Sequence, residues 1–91
     1  MCSDLIKVRV AGADLTVNLE DISPSGACLQ AEEPLEPGAP VLLICRRRRF
    51  RGRVIYCVRH EIGYFAGIRF DAGQRWSRAD YEPKHLLGAV R

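Results

Sequence analysis

From Leu5 to Val10, apolar and charged residues alternate, with Ile6, Val8 and Val10 on one face and Lys7 and Arg9 on the other. A period of two marks a strand buried on one side. Ala11-Gly12-Ala13-Asp14 has the length of a hairpin loop. Alternation then resumes, with Leu15, Val17 and Leu19 inward and Thr16 and Asn18 outward. The stretch Asp21 to Gly26 reads as a turn, in which Ser23-Pro24-Ser25-Gly26 fits type I, with Ser first, Pro second and Gly fourth. Asp21 and Ser23 are two apart, so extended backbone points both to one side, and they should stand together at the edge of a sheet. In its plainest form this stretch is a polar turn in which Asp21 bonds its own backbone. Gly26 is expected to free the chain to turn. Ala27 to Ala31 is a short strand with Ala27 and Leu29 on one face.

Glu32 to Pro40 is polar, holds three prolines and one glycine, and reads as a loop with a Pro37-Gly38 turn signal. Val41 to Cys45 is continuously apolar, as in a strand covered on both faces. Arg46 to Arg49 is expected to form the next turn. From Phe50 to Val58 the alternation assigns Phe50, Val54, Tyr56 and Val58 to the inner face with Gly52, and Arg51, Arg53 and Arg59 to the outer one. His60-Glu61 is a tight connection. Ile62 to Phe70 places Tyr64, Ala66, Ile68 and Phe70 inward, with Phe65 and Arg69 opposite. Gly63 and Gly67 within it suggest a bend or a close backbone approach. Asp71-Ala72-Gly73 ends the pattern. Trp76 should pack on the outside or the open end of the sheet, and one or two short helical turns should follow, limited by Pro83. Six short, evenly spaced strands predict an all-β barrel or sandwich. Closure into a barrel removes exposed edges.

Ninety-one residues make one domain, residues 1–91, with 47% apolar and 27% charged residues, ordinary for a globular chain. No apolar run approaches the roughly 18 residues of a membrane span, and the first residues lack the pattern of a signal peptide. Cys2, Cys28, Cys45 and Cys57 have no metal-ligand spacing, so reduced thiols without a metal site are expected, in a cytoplasmic protein. No cofactor is expected.

The net charge of +3 hides an asymmetry. Residues 1–45 hold two basic residues against seven acids, a balance of −5, whereas residues 46–91 hold twelve against four, a balance of +8. Arg46 to Arg53 contains six arginines in eight residues, a patch suited to phosphates. Phe50 and Tyr56 are both assigned inward, which leaves no stacking platform. A solvated strand face that blocks edge pairing is therefore the simpler reading, and nucleic-acid binding is a distant third function. No histidine lies near a serine or cysteine in sequence, and Glu20 and Asp21 point to opposite faces if both are extended. An enzyme is not expected and no catalytic residue is assigned.

An ordered set of motifs runs from about Val8 to Leu87: Asp21-x-Ser23-x-x-Gly26, Leu35-x-x-Gly38-x-x-Val41, Phe50-Arg51-Gly52-Arg53-Val54, Gly67-Ile68-Arg69-Phe70, and the tail Trp76…Tyr81-x-Pro83-x-His85-Leu86. Together they resemble the PilZ domain family. The resemblance implies a six-stranded antiparallel β-barrel with a short C-terminal helix, in a bacterial cytoplasmic protein. It also implies binding of the second messenger cyclic di-GMP, with Asp21, Ser23 and Gly26 as the ligand-binding positions and the acid on a guanine edge. Such a pairing is charge-assisted. The family's other motif, R-x-x-x-R, precedes the barrel and holds phosphates. Here Arg9 is the sole arginine among the twenty residues before Asp21. Arg47-x-x-x-Arg51 and Arg49-x-x-x-Arg53 share its spelling but lie downstream, and its role is not carried to them. Two functions follow as expectations: a cyclic di-GMP receptor with weakened or lost binding, or an adaptor that acts through a protein partner.

Overall fold

The computed structural model describes residues 4–77. Strand β1 spans Asp4–Val10, β2 Ala13–Ser23, β3 Gly26–Ala31, β4 Pro40–Cys45, β5 Arg48–His60 and β6 Gly63–Phe70. Neighbours are antiparallel and close into a barrel in the order β1-β2-β3-β6-β5-β4, with β4 returning to β1. The expected six-stranded barrel is thus the fold, and the expected C-terminal helical segment falls outside the described residues. The β1–β2 connection is tighter than the sequence suggests. Only Ala11 and Gly12 turn, both at positive φ (52° and 82°), the two-residue hairpin whose twist matches that of its strands. Likewise Arg46-Arg47 alone turns between β4 and β5, while Arg48 and Arg49 already belong to β5.

Inward residues of all six strands fill the interior, and Val8, Leu19, Leu29, Leu43, Cys45 and Val54 are fully enclosed. Removing a leucine-sized side chain from water contributes about 1.5–3 kcal/mol, so this packed interior is the chief stabilising element. Leu35, from the β3–β4 loop, is buried with the core, and its N–H donates to Cys57 Sγ at 3.4 Å. Trp76 is buried too, as part of the core cluster. Its N–H donates to the Pro24 carbonyl at 3.2 Å, beside the β2–β3 turn. Among the described residues no polar or charged side chain is buried. Polar chemistry is therefore confined to the outer wall and the loops.

Two β-bulges decide what that outer wall displays. In β2, Leu19 pairs with Leu29 and Asp21 with Cys28, leaving Glu20 as an extra residue. Leu19 and Ile22 are both buried although three apart, and the bulge absorbs the difference, so that Asp21 and Ser23 face solvent. Without it, continued alternation from Leu19 would turn the Asp21 carboxylate into an apolar core, at a cost of several kcal/mol. The Asn18 side-chain amide donates to the Glu20 carboxylate across the bulge. In β5, Val54 pairs with Ile68 and Tyr56 with Gly67, leaving Ile55 extra. This corrects the inward assignment of Tyr56 and Val58. Both lie on the outside, 44% and 51% exposed, because the bulge reverses the phase after Val54.

Candidate functional site

The strand register lays two rows of residues across the outer wall of β2, β3, β6 and β5. One row reads Asp21, Cys28, Gly67, Tyr56, and the next reads Ser23, Gly26, Arg69, Arg53. With strands spaced by about 4.8 Å, each row spans roughly 14 Å. The bulged strands lie at the two sides of this field, a place where bulges commonly re-aim side chains next to sites. Gly26 adds no side chain to it, and the Tyr56 ring covers Gly67. The result is an open groove of about 280 Å³ whose lining includes Asp21, Ser23, Gly26, Tyr56, Gly67 and Arg69.

All three residues singled out from the sequence meet there. The Asp21 carboxylate is exposed, and its Oδ1 accepts the Ile22 N–H at 3.0 Å. The backbone contact of a polar turn is therefore present, and it also orients the carboxylate at the rim. Ser23 Oγ donates to the Gly26 carbonyl at 3.3 Å, closing the Pro24-Ser25 turn. The role of Gly26 differs from the one expected. Its φ is not positive; instead, a Cβ there would collide with the Ile68 carbonyl of β6. Glycine is required for close strand approach rather than for turning.

Sequence reasoning missed Tyr56 and Arg69. The Tyr56 ring lies on the Gly67 backbone, where any Cβ would strike it, and its hydroxyl stands 3.9 Å from Cys28 Sγ. Burial pushes the Cys28 thiol above its ordinary pKa, against a smaller opposing effect of the Tyr56 hydroxyl. The tyrosine is raised in turn, first by its hydrogen bond with Cys28. Cys28 is therefore a neutral thiol at neutral pH, suited to a groove floor and not to nucleophilic attack. The readable signal for Tyr56 was Gly67, a strand glycine that marks close approach by another group. For Gly67→Ala, the methyl group is expected to swing the Tyr56 ring off this floor at a cost of about 1–3 kcal/mol. Alkylation of Cys28 by iodoacetamide, followed by peptide mass spectrometry, should then accelerate severalfold. An unchanged rate would contradict the packing described.

Among the described residues no group of three or more His, Cys, Asp or Glu could hold a metal ion, and no helix is long and apolar enough to cross a membrane. A larger hollow, about 610 Å³, opens at the barrel mouth beside the β1–β2 hairpin, between Leu15, Leu35, Cys57 and Tyr64. It collects Glu33 and Glu36 against one cation, Arg59, so its charge suits an anionic ligand poorly.

The sequence model of the PilZ domain matches residues 2–81. The chain belongs to the PilZ domain family. No curated protein is similar enough in sequence to count as a match. PilZ domains are binding modules. In this PilZ domain the residues of D-x-S-x-x-G are Asp21, Ser23 and Gly26, brought together by the β2 bulge and the β2–β3 turn.

Proposed function

We propose that this PilZ domain is a cyclic di-GMP receptor module whose Asp21, Ser23 and Gly26 receive the nucleotide on the outer wall of the barrel. The observation that carries this reading is the exposed, side-by-side display of Asp21 and Ser23 above the bare Gly26 backbone. A carboxylate can accept two N–H bonds from a guanine edge, and its charge strengthens both. A glycine floor lets a planar base approach the main chain. Tyr56 offers an aromatic face at the far side, where base stacking contributes about 1–3 kcal/mol. The reading places the protein in a bacterial cytoplasm and gives it no catalytic step. Titration calorimetry with cyclic di-GMP tests it. Saturable binding is expected in the micromolar range, and the absence of heat at several hundred micromolar nucleotide would overturn the receptor assignment.

A second reading, an adaptor for a protein partner, is supported by Ile55, Val58 and Ile62, which are half or more exposed on and beside β5. Exposed apolar side chains near one another along the chain suit a protein contact. The same titration separates the two, because an adaptor that has lost the nucleotide gives no heat.

A further inference from the structure

We propose that Arg53 and Arg69 form a phosphate subsite at the open side of the Asp21 groove. The proposal deepens the nucleotide reading and rests on it for the identity of the ligand, though not for the anion itself. Arg69 in β6 and Arg53 in β5 are direct cross-strand partners, and both are exposed on the outer face. Like charges placed directly opposite one another destabilise a sheet, so the pair needs a compensating anion. Among the described residues no carboxylate bonds either guanidinium. Arg53 Nη1 donates to the Gly38 carbonyl at 3.0 Å, and the ion pair seen elsewhere joins Arg9 to Asp14. A phosphate between the two planar forks would satisfy both, since guanidinium donors match phosphate oxygens in pairs.

The surrounding backbone holds this pair in place. A Cβ on Gly26 would strike the Ile68 carbonyl, and one on Gly52 would strike the Arg69 carbonyl. Strand β6 is therefore gripped from both neighbours at the residue that presents Arg69. On the other strand, the Gly38 N–H donates to the Val54 carbonyl at 2.7 Å, which fixes the loop, on the β4 side of β5, that receives the Arg53 guanidinium; an anion beside Arg69 would draw that fork back across β5. Asp21 and Arg69 are two strand spacings apart and two residues apart along the strands, roughly 12 Å between backbones. A ligand with a hydrogen-bonding base edge at one end and a phosphate at the other would bridge them. Arg53 enters the site through its pairing with Arg69, not through the Arg49-x-x-x-Arg53 spelling, because the β5–β6 register begins at Gly52 and does not reach Arg49.

The test uses the full chain, labelled with ¹⁵N, titrated separately with inorganic pyrophosphate and with cyclic di-GMP at low and high salt. Three proteins are compared: wild type, the double variant Arg53→Gln/Arg69→Gln, and a charge-matched control, Arg47→Gln/Arg49→Gln. Pyrophosphate is expected to shift the Gly26, Gly67 and Arg69 amides saturably in wild type and control, and at least tenfold more weakly in the double variant. Cyclic di-GMP affinity should fall tenfold or more in the double variant and its salt dependence should flatten, while the control stays within about twofold. The melting temperature of the double variant should equal or exceed that of wild type, since a repulsion has been removed. Pyrophosphate shifts that are absent near Arg69, or equally strong in the double variant, would overturn the subsite. If cyclic di-GMP binds wild type and double variant alike, the subsite fails and the receptor reading stands. If pyrophosphate binds at Arg69 and cyclic di-GMP does not, the receptor reading fails and the anion subsite stands.

Discussion

Asp21→Ala is expected to weaken cyclic di-GMP binding by about 10- to 100-fold. A hydrogen bond to a charged acceptor contributes roughly 1.5–3 kcal/mol, and about 1.4 kcal/mol corresponds to a factor of ten. The variant also removes the acceptor of the Ile22 N–H. That loss costs about 0.5–1.5 kcal/mol, or a fall in melting temperature of very roughly 2–12 °C for a chain of this size. Asp21→Asn separates the two effects. Its side-chain oxygen still accepts the Ile22 N–H, so stability should match wild type. It offers one acceptor where the carboxylate offers two, and it carries no charge, so affinity should lie between wild type and alanine. Calorimetry and thermal melts on the same three proteins provide the check. An Asp21→Ala protein that binds within twofold of wild type would remove Asp21 from the site.

Gly26→Ala should produce the largest loss of stability, about 2–4 kcal/mol. The added methyl group would meet the Ile68 carbonyl oxygen and carbon and the Arg69 Cα, all of them backbone atoms. No rotamer change can relieve such a collision, so β3 and β6 must separate where the register pairs Gly26 with Arg69. Overpacking of this kind costs about 1–3 kcal/mol and more when the backbone must move. The expected fall in melting temperature is about 10–25 °C. A fall below about 4 °C would show that the seam has room. Gly67→Ala forms a physical contrast, because there the obstacle is the Tyr56 side chain, which can rotate away. The motif glycine is thus a structural requirement that also clears the groove, and its loss would move Arg69 as well.

Much of the barrel was legible because local rules agreed with one another. Ile6, Val8, Val17 and Leu29 lie inward as their alternation required, and Pro and Gly marked the breaks between strands. The joint exposure of Asp21 and Ser23 was legible as well, since it needs only extended backbone between them. The bulges were harder to read. Leu19 and Ile22 are three apart, a spacing that regular alternation cannot bury on both counts, and this was the available signal for Glu20. In β5 the signal was ambiguous: Ile55 and Cys57 are apolar in one phase, and Tyr56 and Val58 in the other. Either phase would bury an apolar set, so the pattern does not choose between them. The Arg53–Arg69 pairing and the contact of Gly26 with Ile68 depend on which strands become neighbours. That is set by closure of the barrel, and no local pattern encodes it.

On the proposed reading, cyclic di-GMP lies across β2, β3, β6 and β5 on the outer wall. An amide chemical-shift map of the ¹⁵N-labelled chain, titrated with cyclic di-GMP, tests it most directly. Saturable shifts are expected at Asp21 to Cys28, Tyr56, and Gly67 to Arg69, with Leu15, Leu35 and Tyr64 at the barrel mouth unmoved. Shifts centred on that mouth, or no shifts at all at millimolar nucleotide, would contradict it.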